Sequence, residues 1–380
     1  MDIDRLAVPD RQLFIGHEDA YQSFLPTKQN GIGQDAQFSR LKSVLSGLKA
    51  ESNLGLLLKY CFDELELFYP CVNRQDFYNR LFQMLLSASS DNDEEISHKV
   101  RQAEYRALAA LACRMLSIAA FLGAGAGPQE RLQGDDHYVK ASLSWHVESH
   151  KLLADSSAND EVSFDAIRAY LLEVIYMTMV QRPRGASKAI AIAIDLSFSI
   201  RLHDEQTWTA DTPTETEHFR QLWWTVFHLD RRVAFMIGRP YIIRDADFAV
   251  GELTTVSRDI YLTARTSTSS FPPCIGNVAP EDLPVTLTED WFDYFLFSVK
   301  WSKIATRAWD KFFSVRSSKS FDADNIELID ALLLKLKSDL PCSLTWDAKR
   351  LPMHIYAGDS DRAFRLQLII FEVCYTSSTR

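Results

Sequence analysis

No two cysteines in this 380-residue chain lie closer than the ten positions that separate Cys61 from Cys71; the other four are Cys113, Cys274, Cys342 and Cys374. A C-x-x-C pair is therefore absent. With it goes the spacing by which a single turn presents two thiolates to one metal ion. Reduced, mostly buried core cysteines are the expectation, and no metal site is predicted. Basic residues are also in deficit, 41 against 51 acidic, for a formal charge of -10. The densest basic clusters are only pairs: Arg182 with Arg184, Arg231 with Arg232, and Lys349 with Arg350. A surface that tracks phosphates needs the opposite balance or a concentrated basic stripe, so these residues alone are not expected to hold nucleic acid. Long apolar runs are missing too. Met115 to Gly127 is too short to span a bilayer, and Ala189 to Ile194 runs into Asp195. Met1-Asp2-Ile3-Asp4-Arg5 has acids where a secretory signal would carry bases. A soluble, intracellular chain with no membrane partner is the expectation.

What the chain does have is apolar content, 47% hydrophobic and 12% aromatic residues, which excludes a disordered chain. Apolar side chains recur at three- and four-residue steps almost throughout, and strand-like alternation is scarce, so an all-α fold is predicted. Leu58, Cys61, Phe62, Leu65 and Phe68 form one stripe that stops at Tyr69-Pro70. Asn73-Arg74-Gln75-Asp76 reads as a capping box opening a helix with Tyr78, Leu81, Phe82 and Leu85. Ser87 to Glu95 reads as a solvated loop. Leu108, Leu111, Met115, Ile118 and Leu122 mark a long buried helix, ended by Gly123 to Pro128. Helices follow from about Asp136 to Leu153 and from about Phe164 to Val180. Ala189 to Ile194 alternates like a strand, but its alanines and its continuation to Phe198 and Leu202 favour a helix.

Thr212-Pro213-Thr214-Glu215 combines a capping residue, a proline at the first helical position and a glutamate three residues on. The helix it opens, predicted over 213–237, carries Phe219, Leu222, Trp223, Val226, Phe227, Asp230 and Val233, and Gly238-Arg239-Pro240 closes it. Arg265 to Pro284 is rich in Ser, Thr and Pro and aperiodic. Beyond it, three helices are expected: an aromatic one from about Glu289 with Trp291, Phe292, Phe295, Val299, Trp309 and Phe312; one opened by a capping box at Asp324-Asn325-Ile326-Glu327 and ending at Leu340-Pro341; and one from about Asp361 with Phe364, Leu368, Phe371 and Tyr375. The expected division is a lead segment over 1–50, a helical core over 51–260, a loop over 261–286, and C-terminal helices over 287–380 that pack on the core. The last apolar helix either folds back on the body or belongs to a longer parent chain.

Motifs that could carry chemistry are few. His146 and His150 stand four apart on a helix, but Glu148 points elsewhere and no third ligand is evident, so a solvated or capping pair is expected. Gly123 to Gly127 follows a helix and lacks the lysine of a phosphate loop. No G-x-S-x-G elbow exists.

Arg220, the pair Trp223-Trp224, Asp230-Arg231 (within Leu229-Asp230-Arg231), Gly238-Arg239-Pro240, and the spaced aspartates Asp245 and Asp247 occur in an order that resembles the middle homology region of fungal-specific transcription factors, a family usually carrying an N-terminal zinc binuclear cluster. Tyr60 to Phe77, Phe164 to His203 and Ile326 to Leu344 are similar to the family's flanking segments, so the resemblance runs over roughly 50–376. There are departures. Arg201-Leu202-His203 stands where the family usually has Gly-Leu-His, Asp195 where a basic residue is common, and no cysteine half-cluster is present.

The resemblance implies a large all-helical bundle serving as the ligand-responsive or inhibitory regulatory domain of a transcription factor acting on RNA polymerase II. It implies no catalytic residue and no cofactor in this chain. The implied partners are the transcription machinery or co-regulators, a small hydrophobic effector, a homodimer mate, and DNA only through the zinc cluster these residues lack. Nuclear residence follows, with the cytoplasm open to a cluster-less form. Asp230 and Arg231 sit in an otherwise apolar helix and need partners; Arg239, Asp245 and Asp247 are the candidates, in a network that pins helix to loop. Arg201, His203, Trp224 and His228 are the candidate ligand contacts. Two other readings remain open: a cluster-less relative that binds a metabolite or acts as an enzyme of fungal secondary metabolism, and a scaffold.

Overall fold

Ten α-helices carry most of residues 33–66, 68–87, 99–123, 136–253, 290–314 and 323–340, the parts of the chain that the computed structural model describes. They are α1 Gln34–Ala50, α2 Leu54–Leu65, α3 Arg74–Ser87, α4 Lys99–Phe121, α5 Asp136–Ala158, α6 Phe164–Met179, α7 Pro183–Ser199, α8 Pro213–Ile237, α9 Asp290–Ala308 and α10 Ala323–Ser338. Among the described residues there is no sheet, only one isolated parallel bridge between Asp204 and Ala249. No described helix is long and apolar enough to cross a membrane.

The centre of the fold is α4. Ala107 to Ala120 is buried on every side, because alanines and Cys113 alternate with Leu108, Leu111, Met115 and Ile118 and let neighbours approach closely. Helix α5 runs along it, with α1, α2 and α6 on its other sides. Helix α6 is buried from Asp165 to Met177. Helix α7 lies against it through Ala186, Ala189, Ile190, Ala193 and Ile194 and leaves Ala191 and Ile192 outward. The alternating Ala-Ile stretch is thus one face of a helix, as its alanines suggested. Contact there is tight: a Cβ at Gly185 would sit 2.8 Å from Met177 Sδ.

Helix α8 packs on α7, α6 and α9. Phe292, Phe295 and Val299 of α9 join the same core as α1 to α8, and Tyr294, Phe297 and Leu336 tie α9 to α10. Trp309 and Phe312, expected to continue α9 regularly, lie in a π-type turn over Trp309–Phe313.

Capping departs from the sequence reading in three details. Asn73 accepts from the Asp76 amide at 2.9 Å, but the Asp76 carboxylate turns to Arg80 at 2.8 Å and not back to the cap. Thr212 caps α8 through the Glu215 amide at 3.2 Å, and Glu215 reaches one residue further back, to the Asp211 amide at 3.0 Å. Helix α10 begins at Ala323, so Asp324 lies inside its first turn and cannot be its cap. Cys61, Cys71 and Cys113 are buried free thiols. The lead segment over 1–32, the loop expected at Ser87 to Glu95 beyond Ser87 itself, the stretch 124–128, the Ser/Thr/Pro-rich loop, the last apolar helix, and Cys274, Cys342 and Cys374 lie outside the described residues.

Candidate functional site

Two constructions occupy the two ends of α8. At its C-terminal end, Asp230 and Arg231 form a buried ion pair at 2.8 Å, with Asp230 2% exposed and Arg231 fully buried. The loop after the helix and α9 supply the remaining partners. Asp230 accepts from the backbone amides of Ile242 at 3.1 Å and Ile243 at 3.0 Å. Arg231 donates to the Ile243 carbonyl at 2.7 Å, to Asp245 at 3.3 Å, and to the Thr306 hydroxyl of α9 at 3.0 Å. Its guanidinium lies 3.8 Å from the centre of the Phe227 ring and 4.3 Å from that of Tyr241, where cation–π attraction offsets lost water. The fold back onto the helix is possible because Gly238, at φ +65°, ends α8 in the left-handed region. Burial still pushes the Asp230 carboxyl up against the pull of Arg231.

The expected network is corrected in two members. Arg239 is exposed and Asp247 pairs with Arg244 at 3.2 Å, so neither reaches the pair; Pro240 is exposed as well. Asp245 reaches Arg231 as expected, and the other partners are the amides of 242 and 243, the Ile243 carbonyl and a hydroxyl on another helix, which no local spacing announces.

Arg220 and the tryptophans make a second fastening. Arg220 bridges Glu217 and Glu205, and Glu205 accepts from the Gly251 amide at 2.6 Å. Trp224 donates its indole N–H to the Gly251 carbonyl at 2.8 Å, while Lys303 lies 4.6 Å over its ring. Trp223 packs against Phe248 and Phe198. A side chain at 251 would press on Glu205 and Arg220, with a Cβ 3.0 Å from Glu205 Oε2. The chain entering α8 and the chain leaving it are thus joined.

The four candidate ligand contacts are not brought together. Trp224 is occupied as described. His228 is buried with Nδ1 2.8 Å from Ser302 Oγ. His203 packs edge-on to Phe198. Arg201 projects outward. What Arg201 does is conformational: it follows α7 at φ +58°, with its own amide bonded to Phe198 O and the Leu202 amide to Ser197 O, a left-handed helix stop. The family's glycine suits that conformation, and an arginine strains it. Arg201→Gly is therefore expected to stabilise the fold by about 0.5–1 kcal/mol, partly offset by the looser unfolded chain. A urea midpoint that falls on this substitution would contradict it.

The expectation of a solvated or capping pair fails for His146. His146 is neither solvated nor capping: it is 2% exposed, its Nδ1 meets the Arg114 guanidinium, and its ring stacks on Tyr176 at 4.6 Å. Arg114, fully buried, pairs with Glu173. His146 is driven well below the usual histidine range by burial and then by Arg114, and His150 is lowered by burial. Among the described residues, no group of three His, Cys, Asp or Glu side chains could hold a metal ion.

At the N-terminal end of α8 a cleft of about 1020 Å³ opens where the starts of α3, α6 and α8 meet. Phe164 and Phe219 stack there face to face, 4.7 Å apart and 12° from parallel. An ionic ladder runs across it: Asp76 to Arg80, Arg80 to Asp165, and Asp165 to Arg168 at 2.9 Å. These contacts draw the Asp165 carboxyl below its ordinary range in spite of burial. His218 Nε2 lies 3.0 Å from Asn73 Nδ2. Sequence reasoning found two of the three caps at this junction, Asn73 and Thr212, but not that they converge.

Burial draws His218 down to about 4, and burial followed by Arg232 draws His228 down to about 3. Both are neutral in the folded protein, while the unfolded chain takes up protons near pH 6.5. Stability therefore falls as pH drops from 6.5 toward 4, by up to about 1.4 kcal/mol per pH unit for the fully buried His228 and less for the partly exposed His218. Urea midpoints at pH 7, 5.5 and 4.5 should decline in that order, and His228→Gln should flatten the slope. A level series would overturn the assignment.

Residues 58–270 match the family described as fungal specific transcription factor domain. The chain is 25% identical to the ABC-transporter-regulating transcription factor of Aspergillus fumigatus over 167 residues, 44% of this chain and 16% of that protein. It is 32% identical to cutinase transcription factor 1 beta of Fusarium vanettenii over 102 residues, 27% of this chain and 12% of the relative. Transcription factor FBD3 of Gibberella moniliformis is 23% identical over 206 residues, 54% of this chain and 24% of that protein. The chain thus spans a quarter or less of these curated relatives. No solved structure matches it. With more than half of its length matched and the arginine, tryptophans and buried acid–base pair of α8 inside the match, the chain belongs to the fungal specific transcription factor domain family.

Proposed function

We propose that this chain is the effector-responsive regulatory module of a fungal transcription factor, acting in the nucleus on RNA polymerase II transcription through co-regulators. DNA contact belongs to a zinc cluster that these residues do not contain. The observation that carries the reading is the placement of cleft and clamp at opposite ends of one rigid element. Helix α8 spans 25 residues, about 37 Å at 1.5 Å per residue. A molecule seated in the cleft touches three helix starts at once, and a tilt of α8 there displaces the loop held by Asp230 and Arg231. Differential contact with two helix arrangements is what lets a ligand shift a population. The three relatives carry the names of transcription factors, which favours regulation over a catalytic role.

The test is a reporter assay with the full chain fused between a heterologous DNA-binding domain and an activation segment. Output is expected to fall several-fold below that of a fusion lacking the chain. It should change again with Leu86→Trp, which fills the cleft from an exposed position. Equal output from all three fusions at equal protein level would sink the reading.

A further inference from the structure

The cleft has a charge pattern that its helix junction does not suggest. Three helix starts would ordinarily draw an anion, through free amides and the helix dipole. Here one amide of each start is already engaged by its cap: Asn73 takes that of Asp76, Ser163 that of Ala166 at 3.1 Å, and Thr212 that of Glu215. The two arginines are committed as well, Arg80 to Asp76 and Asp165, Arg168 to Asp165 and to the Cys71 carbonyl at 2.9 Å. Four carboxylates line the cleft, Asp76, Glu104, Asp165 and Glu215, against those two guanidinium groups. Among the described residues, two negative charges are left over. Glu104 and Glu215 make no ion pair with any described cation. His218 adds no positive charge at neutral pH.

The remaining lining is apolar: the stacked Phe164 and Phe219, Tyr105, Leu108, and Leu86 at 53% exposure. The volume is at the upper end of what drug-sized ligands occupy. We propose that this cleft binds an amphipathic organic cation, whose apolar body lies against the Phe164–Phe219 pair and Leu86 and whose charge faces Glu104 and Glu215. The carboxylates favour a cation, whereas an anion would meet unmatched like charge beside arginines already engaged by Asp76 and Asp165. The proposal takes the cleft from the regulatory reading above and adds the chemistry of its occupant.

Tetraphenylphosphonium and tetraphenylborate are matched in size and opposite in charge. Titration calorimetry of the full chain should show the phosphonium binding at least tenfold tighter than the borate. Glu104→Gln combined with Glu215→Gln should weaken the phosphonium at least fivefold, and Leu86→Trp should abolish its binding, with circular dichroism unchanged in both variants. Borate binding as tightly as phosphonium, no phosphonium binding up to millimolar concentration, or binding indifferent to both variants would overturn the proposal. The reporter fusions separate the two claims. A chain that lowers reporter output yet ignores the phosphonium loses only the ligand chemistry. A chain that binds it through Glu104 and Glu215 with reporter output unmoved loses only the regulatory reading.

Discussion

Asp230→Ala is expected to cost about 3–5 kcal/mol, the loss associated with stranding one member of a buried ion pair. The guanidinium of Arg231 is fully buried between Phe227 and Tyr241, and without Asp230 it keeps only the longer 3.3 Å contact to the exposed Asp245 as counter-charge. The substitution also orphans the amides of Ile242 and Ile243, each a buried or half-buried donor that costs about 1–3 kcal/mol when unmet. Asp230→Asn, which keeps one carbonyl oxygen for those amides, should cost less. Asp230→Leu with Arg231→Met should recover only part of the loss, because removing both charges leaves the amides unmet. Urea unfolding of the four proteins checks the order. An alanine variant within about 1 kcal/mol of the parent would show that the pair does not hold the loop.

Glu173→Ala carries the second large effect. Arg114 lies at 0% exposure in the middle of α4, and its partners are Glu173 on α6 and His146 on α5. Removing the carboxylate leaves an arginine in the core beside a neutral imidazole, which cannot supply compensating charge. A loss of about 3–5 kcal/mol follows, on the order of 5–10 °C in melting temperature for a chain of this size. The double replacement Arg114→Met with Glu173→Ala should regain most of it, since methionine fills the space without a charge to desolvate. If the double variant melts no higher than Glu173→Ala, packing and not charge dominates this site.

The contrast between these two pairs shows what the sequence made legible. Helix α8 could be read at both ends because its signals are local. Thr212 caps its own first turn and Gly238 takes a left-handed stop, so Pro213 to Ile237 follows from neighbours in the chain. The helix over Ala189 to Ile194 was legible for the same reason. The need of Asp230 and Arg231 for partners was also legible, and Asp245 among them, but not the rest, since Ile242 and Ile243 contribute backbone groups that any residue would offer. Arg239 carried the right charge and points to solvent. His146 was misread because its surroundings come from α4 and α6, far along the chain. The cleft escaped the sequence altogether: Asn73, Ser163 and Thr212 are ordinary caps in isolation, and only the packing of three helices makes their junction a site. Arg201, His203, Trp224 and His228 each sit on or beside α7 and α8 and yet face different surroundings, so sequence proximity did not make them one pocket.

The bond between Glu205 and the Gly251 amide closes a loop of 46 residues around α8. Such a loop cannot fray from one end like an open helix, because loosening either strand of the fastening releases both. In native-state hydrogen exchange, the amides from Val226 to Val233 and that of Gly251 should therefore share one opening free energy and lose protection together as denaturant is raised, as a single cooperative unit.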